Sequence, residues 1–220
     1  EPLSPQGYSA ASAPREAPAH CDQAGKAPRL RLFVALDLPR DTKREVHLWG
    51  KQALADPALR EVPEENLRMT LVYLGYRLER QVPRIVATLQ DLCEGTTPAM
   101  VELRDPEQRP ARGRPRIYTL PATSPGAEII QIGLRELLSN RGLYEPEQRP
   151  FWPHLTVARV RAEKRGSRRR MNVECPPSAP LPPALTEPFW AEGVGLYRSD
   201  LHPEGARHTL LGKVGLGGHG

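Results

Sequence analysis

Two short stretches, 86 positions apart, carry residue types suited to chemistry at a phosphorus centre: Arg68-Met69-Thr70 and His154-Leu155-Thr156. Each sets a polar residue two places before a threonine. In a strand, side chains at i and i+2 leave from the same face, so His154 and Thr156 point together, as do Arg68 and Thr70. Two such strands side by side would line one groove with four polar groups. Cleaving a phosphodiester requires taking a proton from the attacking water and giving one to the leaving oxygen. An imidazole with an ordinary pKa of about 6.5 can do either. Threonine hydroxyls can donate hydrogen bonds to the non-bridging oxygens as their charge grows. That scheme calls for no metal and no other cofactor.

Arg68 cannot take the second imidazole role. Its guanidinium stays protonated at any working pH, so it is no general base and a poor proton donor. It can grip a phosphate through a planar, two-pronged set of donors. A His-x-Thr pair taken alone is also an ordinary strand feature, filled by core or surface residues, and spacing by itself does not make a site.

The elements that must hold these residues are legible as alternating strands and helices. Leu30, Leu32, Val34 and Leu36 alternate in RLRLFVALDLP, a first strand stopped at Pro39. The segment DTKREVHLWGKQAL follows, a helix with Asp41 and Thr42 as candidate caps and Val46, Trp49 and Leu54 on one side. ENLRMTLVYLG is a strand halted at Gly75, and QVPRIVATLQDLCE a helix. MVELRD and RIYTLPA read as strands, SPGAEIIQIGLRELLSNRG as a helix ended by glycine, and PFWPHLTVARV as the strand of the second motif. FWAEGVGLYRSDL and RHTLLGKVGL offer two short strands around the turn HPEGA. The second half repeats the first in kind, which predicts an α+β fold with antiparallel character.

Residues 1–28, rich in Pro, Ala and Ser, read as a disordered extension, residues 29–214 as one domain, and residues 215–220 as a fraying tail. Within the domain, 162–188 reads as a basic and proline-rich loop, either an arm that attracts RNA backbone or a solvated linker.

Composition narrows the classes. Hydrophobic residues make up 39% and charged residues 26%, and no apolar run approaches the ~20 residues of a membrane span. The first 20 residues lack the basic start and apolar core of a secretory signal. Three scattered cysteines suggest neither a disulfide framework nor a zinc site. A cytoplasmic, monomeric protein is expected. The net charge is +5, and 26 of 31 basic residues are arginine, which suits a partner rich in phosphates, although arginine bias also follows genome composition.

The pieces RLFVALDLP, ENLRMTLVYLG, RPFWPHLTVARV and GLYRSDLHPEGARHTLL occur in the order and spacing of the LigT-type branch of the 2H phosphoesterases, which the chain resembles over residues 30 to about 213. The resemblance implies two lobes of antiparallel sheet and helices related by a pseudo-twofold, with a central groove lined by both motifs. It implies opening of RNA 2',3'-cyclic phosphates to 2'-phosphomonoesters, with 2'-5' joining of RNA halves as a further activity. His154, Thr156 and Thr70 carry over as catalytic residues. The family's first motif reads His-x-Thr, in a stretch similar to ENLHLTLxFLG, so Arg68 inherits only the position. A groove that binds cyclic-phosphate or nucleotide ends without cutting them is the competing expectation, and a chance motif on a charged α/β domain a third.

Tyr73 and Trp152 flank the motifs as substrate-binding aromatics able to stack on a base, with core packing as the alternative role. Arg159 is a further substrate-contact candidate. Simple alternation from His154 turns it away from the groove, and a bulge would turn it back. His47, His202 and His208 lack metal-ligand spacing and read as ordinary histidines. His208 stands where relatives often carry tyrosine.

Overall fold

The structure, a computed structural model, describes residues 27–217 apart from 165, 178, 192, 203 and 204. Its strands are β1 (Arg29–Asp37), β2 (Leu59–Glu61), β3 (Met69–Leu78), β4 (Met100–Leu103), β5 (Glu107–Arg109), β6 (Ile117–Thr123), β7 (His154–Val160), β8 (Phe189–Trp190), β9 (Gly193–His202) and β10 (Gly205–Gly215). Four helices, α1 (Arg40–Ala53), α2 (Val82–Cys93), α3 (Pro125–Asn140) and the one-turn α4 (Pro183–Thr186), complete the described fold. The order across the sheet is β10-β9-β1-β3-β7-β6-β4-β8, with β2 joined to β7 and β5 to β6. Every ladder is antiparallel. The result is the α+β architecture expected, two antiparallel halves meeting at the β3–β7 seam.

The helices cover one face of the sheet. α2 and α3 pack against each other, α2 reaches β9 and β10, and α3 reaches β3 and β4. Between the helices and the sheet lies the main core, including Leu36, Met69, Leu120, Leu134 and Leu155, all without solvent exposure. Fully burying one leucine of that kind contributes roughly 1.5–3 kcal/mol. The face free of these helices carries a small separate cluster of Phe33, Ala35 and Tyr197.

α3 begins with the Ser124 hydroxyl accepting the Ala127 N–H at 3.2 Å. Just past its end at Asn140 comes Gly142, whose φ of 65° lets the Leu143 N–H reach back to the Leu138 carbonyl. α1 differs from expectation. Neither Asp41 nor Thr42 caps it, because the helix already starts at Arg40, behind Pro39, and places both inside the first turn.

β9 and β10 are not short. They run 10 and 11 residues as a long hairpin along one edge. The segment 162–188 is a loop anchored at several points. Asp56 accepts the N–H groups of Glu174 and Cys175, both at 2.8 Å, the Leu181 N–H donates to Asp105, and Leu181 and Leu185 are buried. The expected N-terminal extension lies outside the described residues as far as residue 26, and the expected tail does so from residue 218. Pro28 is already held, its carbonyl accepting the Glu79 N–H.

Candidate functional site

The first contact between the halves is a single registered pair, Met69 of β3 opposite Leu155 of β7. Both side chains point into the core. Counting outward along an antiparallel ladder puts Arg68 beside Thr156 and Thr70 beside His154, on the face away from the helices, at roughly the 5 Å Cβ spacing of cross-strand neighbours. Arg68 itself falls one residue before β3 begins.

Each motif strand then carries the same irregularity. In β3 the register against β1 jumps from Thr70 to Val72, leaving Leu71 extra. In β7 the register against β6 jumps from Thr156 to Ala158, leaving Val157 extra. A bulge of this kind inserts one residue and reverses the alternation beyond it. The fifth residue after Arg68 and the fifth after His154 are therefore returned to the groove face. These are Tyr73 and Arg159, and both are exposed. Tyr73 is 38% exposed, and its hydroxyl accepts a hydrogen bond from Arg31 Nε at 2.6 Å, so it is no core aromatic.

His154 is fixed from two directions. Its ring stacks on Trp152 with centroids 3.9 Å apart, and the Arg109 guanidinium also lies 3.9 Å from the Trp152 ring. Two groups that close to one ring must take opposite faces, so Trp152 has no free face for a nucleobase and serves as a spacer behind His154. Sequence had offered it as a stacking platform; its own neighbours fill that role. Nδ1 of His154 lies 2.7 Å from the Trp152 carbonyl, which can only accept. Nδ1 therefore carries the proton and Nε2 presents a lone pair. Burial holds the His154 pKa below the ordinary histidine value. The bond to Trp152 opposes that shift, as does Glu107, while Arg109 and Arg159 add to it.

Arg68 is half-buried. Its guanidinium lies over the Tyr197 ring, 3.9 Å from the centroid, and Nη2 donates to the Glu65 carbonyl. Nε and Nη1 are shut off from solvent and have no hydrogen-bond partner among the described residues. Burial lowers the Arg68 pKa, while Tyr197, Asp37 and Glu65 oppose the shift. Tyr197 stacks on Phe33 at 5.4 Å, and His208 meets Phe33 edge-on at 4.9 Å.

His208 is thereby partly buried, with its ring against the Phe33 cluster on the groove face. Burial, followed by Arg68, Arg159 and Arg31, pushes its pKa down to about 4. The residues that sequence reasoning passed over here are Arg31, Arg109, Tyr197 and His208. Arg31 shares the alternation of Phe33 and Ala35, and His208 stands at the place of a frequent tyrosine, signals that could have been read; Arg109 and Tyr197 had none. His47 lies on α1, its Nδ1 2.8 Å from Glu61, and His202 is exposed on β9. Among the described residues no three His, Cys, Asp or Glu side chains gather as a metal site, and no helix is long and apolar enough to cross a membrane.

A histidine with one unpaired nitrogen, an arginine and two threonines face outward from the paired motif strands of an antiparallel α+β sheet, the arrangement that a two-motif phosphoesterase calls for. A curated RNA 2',3'-cyclic phosphodiesterase of Thermus thermophilus is 31% identical over 198 residues, covering 87% of this chain and 93% of that protein. The enzyme of the same name from Escherichia coli is 27% identical over 135 residues, 60% of this chain and 73% of that one. Among solved structures, TT0787 of Thermus thermophilus superposes with a TM-score of 0.72 at 28% identity, covering 87% of this chain and all of that one. Escherichia coli LigT complexed with 3'-AMP shares the fold, with a TM-score of 0.65. No family model matches the chain. The chain belongs to the LigT-like family of 2H phosphoesterases, the RNA 2',3'-cyclic phosphodiesterases.

Proposed function

We propose that the protein hydrolyses RNA 2',3'-cyclic phosphate ends to 2'-phosphomonoesters with His154 as its proton-transfer residue. The observation that carries this reading is the fixed tautomer of His154, with Nδ1–H held by the Trp152 carbonyl and Nε2 open beside Thr70. Nε2 takes a proton from water as the water oxygen bonds to phosphorus. The phosphorus–O3' bond breaks, and the departing oxygen collects its proton from solvent, because Arg68 does not release one. The hydroxyls of Thr70 and Thr156 donate to the non-bridging oxygens. Arg68 stabilises the same oxygens by charge. Tyr73 and Arg159, brought back to the groove by the two bulges, bound the substrate on either side.

Losing one positioned acid or base costs about 10²–10⁴ in rate, so turnover is slow compared with a two-histidine groove. A 5'-hydroxyl replacing water at the same phosphorus would give a 2'-5' linkage by the same proton movements. The test is incubation with a dinucleotide ending in a 2',3'-cyclic phosphate. A 2'-phosphomonoester is expected from the parent and none above background from His154→Ala. Tight binding without product would favour the second reading, a groove that retains cyclic ends uncut; the non-titrating Arg68 is what favours it.

A further inference from the structure

A cavity of about 410 Å³ lies at the Arg159 end of β7, lined by Arg60, Arg109, Arg116, Arg159 and Arg170, with Pro110, Ile117 and Val160 as its uncharged walls. No carboxylate among the described residues lines it. Its floor is a row across four strands: Arg60 of β2 is registered opposite Arg159 of β7, which is opposite Ile117 of β6, which is opposite Arg109 of β5. Partial burial, then Arg60, Arg31 and Arg170, lower the Arg159 pKa. Arg109 is neutralised by Glu107 at 2.6 Å, yet its Nε, like that of Arg170, has neither solvent nor a partner among the described residues. Arg116, Arg159 and Arg170 make no ion pair among the described residues.

We infer that this cavity is a second phosphate site, which holds an internucleotide phosphodiester of an RNA chain whose end occupies the His154 groove. The identity of the occupant rests on the function proposed above. Two features tie the cavity to the groove: Arg109 backs the Trp152 ring that His154 stacks on, and Arg159 acts on both His154 and His208. Guanidinium forks suit a phosphodiester, which offers two non-bridging oxygens. A cyclic mononucleotide has no second phosphate to place there, so the site distinguishes an RNA end from a free cyclic nucleotide.

The test uses the double variant Arg116→Gln/Arg170→Gln and a charge-retaining control, Arg116→Lys/Arg170→Lys. Turnover is followed on a 2',3'-cyclic mononucleotide and on a tetranucleotide ending in a cyclic phosphate, and fluorescence anisotropy reads binding of the tetranucleotide with an uncut end. The Gln pair is expected to raise the tetranucleotide KM about tenfold, with mononucleotide kinetics moved less than about twofold and the Lys pair in between. Its slope of log affinity on log salt should be shallower by about 0.7 for each phosphate no longer neutralised. Equal binding of the tetranucleotide by parent and Gln pair overturns the second site, whatever the turnover. An equal loss on both substrates also overturns it. If neither substrate is cut but the anisotropy difference persists, the hydrolytic reading fails and the phosphate site stands.

Discussion

The rings of Trp152 and His154 lie nearly parallel, 17° apart, and the Trp152 carbonyl also receives the His154 Nδ1 proton. One residue thus fixes the orientation and the tautomer of the imidazole two positions later. The charge behind it comes from Arg109, on the far face of the indole. The site's behaviour with pH follows from this arrangement.

Turnover should depend on pH through a single limb. Burial, aided by Arg109 and Arg159, lowers the His154 pKa, so the neutral base persists below pH 6.5 and is lost only as pH falls further. Arg68 does not titrate in the working range and supplies no alkaline limb. The profile of kcat/KM expected is a rise to a plateau with its midpoint under 6.5. A bell with two midpoints between pH 5 and 9 would mean that a second titrating group transfers protons.

Arg68→His should restore a donor to the groove beside Thr156. Turnover of a 2',3'-cyclic nucleotide is expected to rise by about 10²-fold or more, and the profile to become a bell. The variant also gives up the stacking of Arg68 on Tyr197, a contact contributing about 0.5–2 kcal/mol, so its melting temperature should fall slightly while activity climbs. A variant no faster than the parent would remove Arg68 from the assigned role.

Arg109→Ala deletes a cation that depresses His154 and uncovers one face of Trp152. The acid limb should move toward pH 6.5. Rates on the plateau should fall modestly, about tenfold or less, since a loosened spacer lets the imidazole tilt. Measuring the limb on a cyclic mononucleotide keeps the effect apart from binding in the arginine-lined cavity. An unmoved limb with unchanged plateau would show that His154 is positioned without this stack.

Much of the fold was legible because long elements print their period in the sequence. β1, β3, β7 and the three longer helices alternate or repeat over seven or more residues; Thr70, His154 and Thr156 sit on such strands, and Arg68 one residue ahead of β3. β2, β5 and β8 are two or three residues long and have no period to read. Two of them carry Arg60 and Arg109, so the arginine row of the cavity was invisible. The face of Arg159 turned on one extra residue, Val157, which alternation cannot reveal, and the same holds for Leu71 and Tyr73. His208 and Tyr197 enter the groove through the pairing of β9 with both β1 and β10, a contact between distant segments that local pattern does not encode.

Gly195 is needed for close approach rather than for its backbone angle. A Cβ there would fall 2.6 Å from the Tyr197 ring, which folds back over the strand two residues later. Gly195→Ala should push that ring aside and take the support from Arg68. The expected stability loss is about 1–3 kcal/mol by urea unfolding, with a reduced affinity for inorganic phosphate. Unchanged stability and unchanged phosphate binding together would mean that the ring adapts without disturbing the groove.

His208 should make the protein less stable in mild acid. Its pKa of about 4 in the folded chain lies below the ordinary value of about 6.5 that it regains on unfolding. Above pH 6.5 both states are neutral and stability is whole. As pH falls from 6.5 toward 4, the unfolded chain takes a proton that the folded chain refuses, so stability declines, and below 4 this contribution changes no further. His208 is only half-buried, so solvent screening reduces the effect to about 1 kcal/mol. His154 contributes with the same sign, and Asp37 and Asp56 act at lower pH, so the measurement is a difference: urea midpoints at pH 7.5 and 5.0 for the parent and for His208→Phe. The parent is expected to lose more between the two pH values than the variant. Phosphate in the groove would offset Arg68, Arg159 and Arg31 and raise the His208 pKa, so at pH 5.0 it should stabilise the parent more than the variant. Equal slopes in the two proteins, with and without phosphate, would place the His208 ring outside the reach of those three arginines.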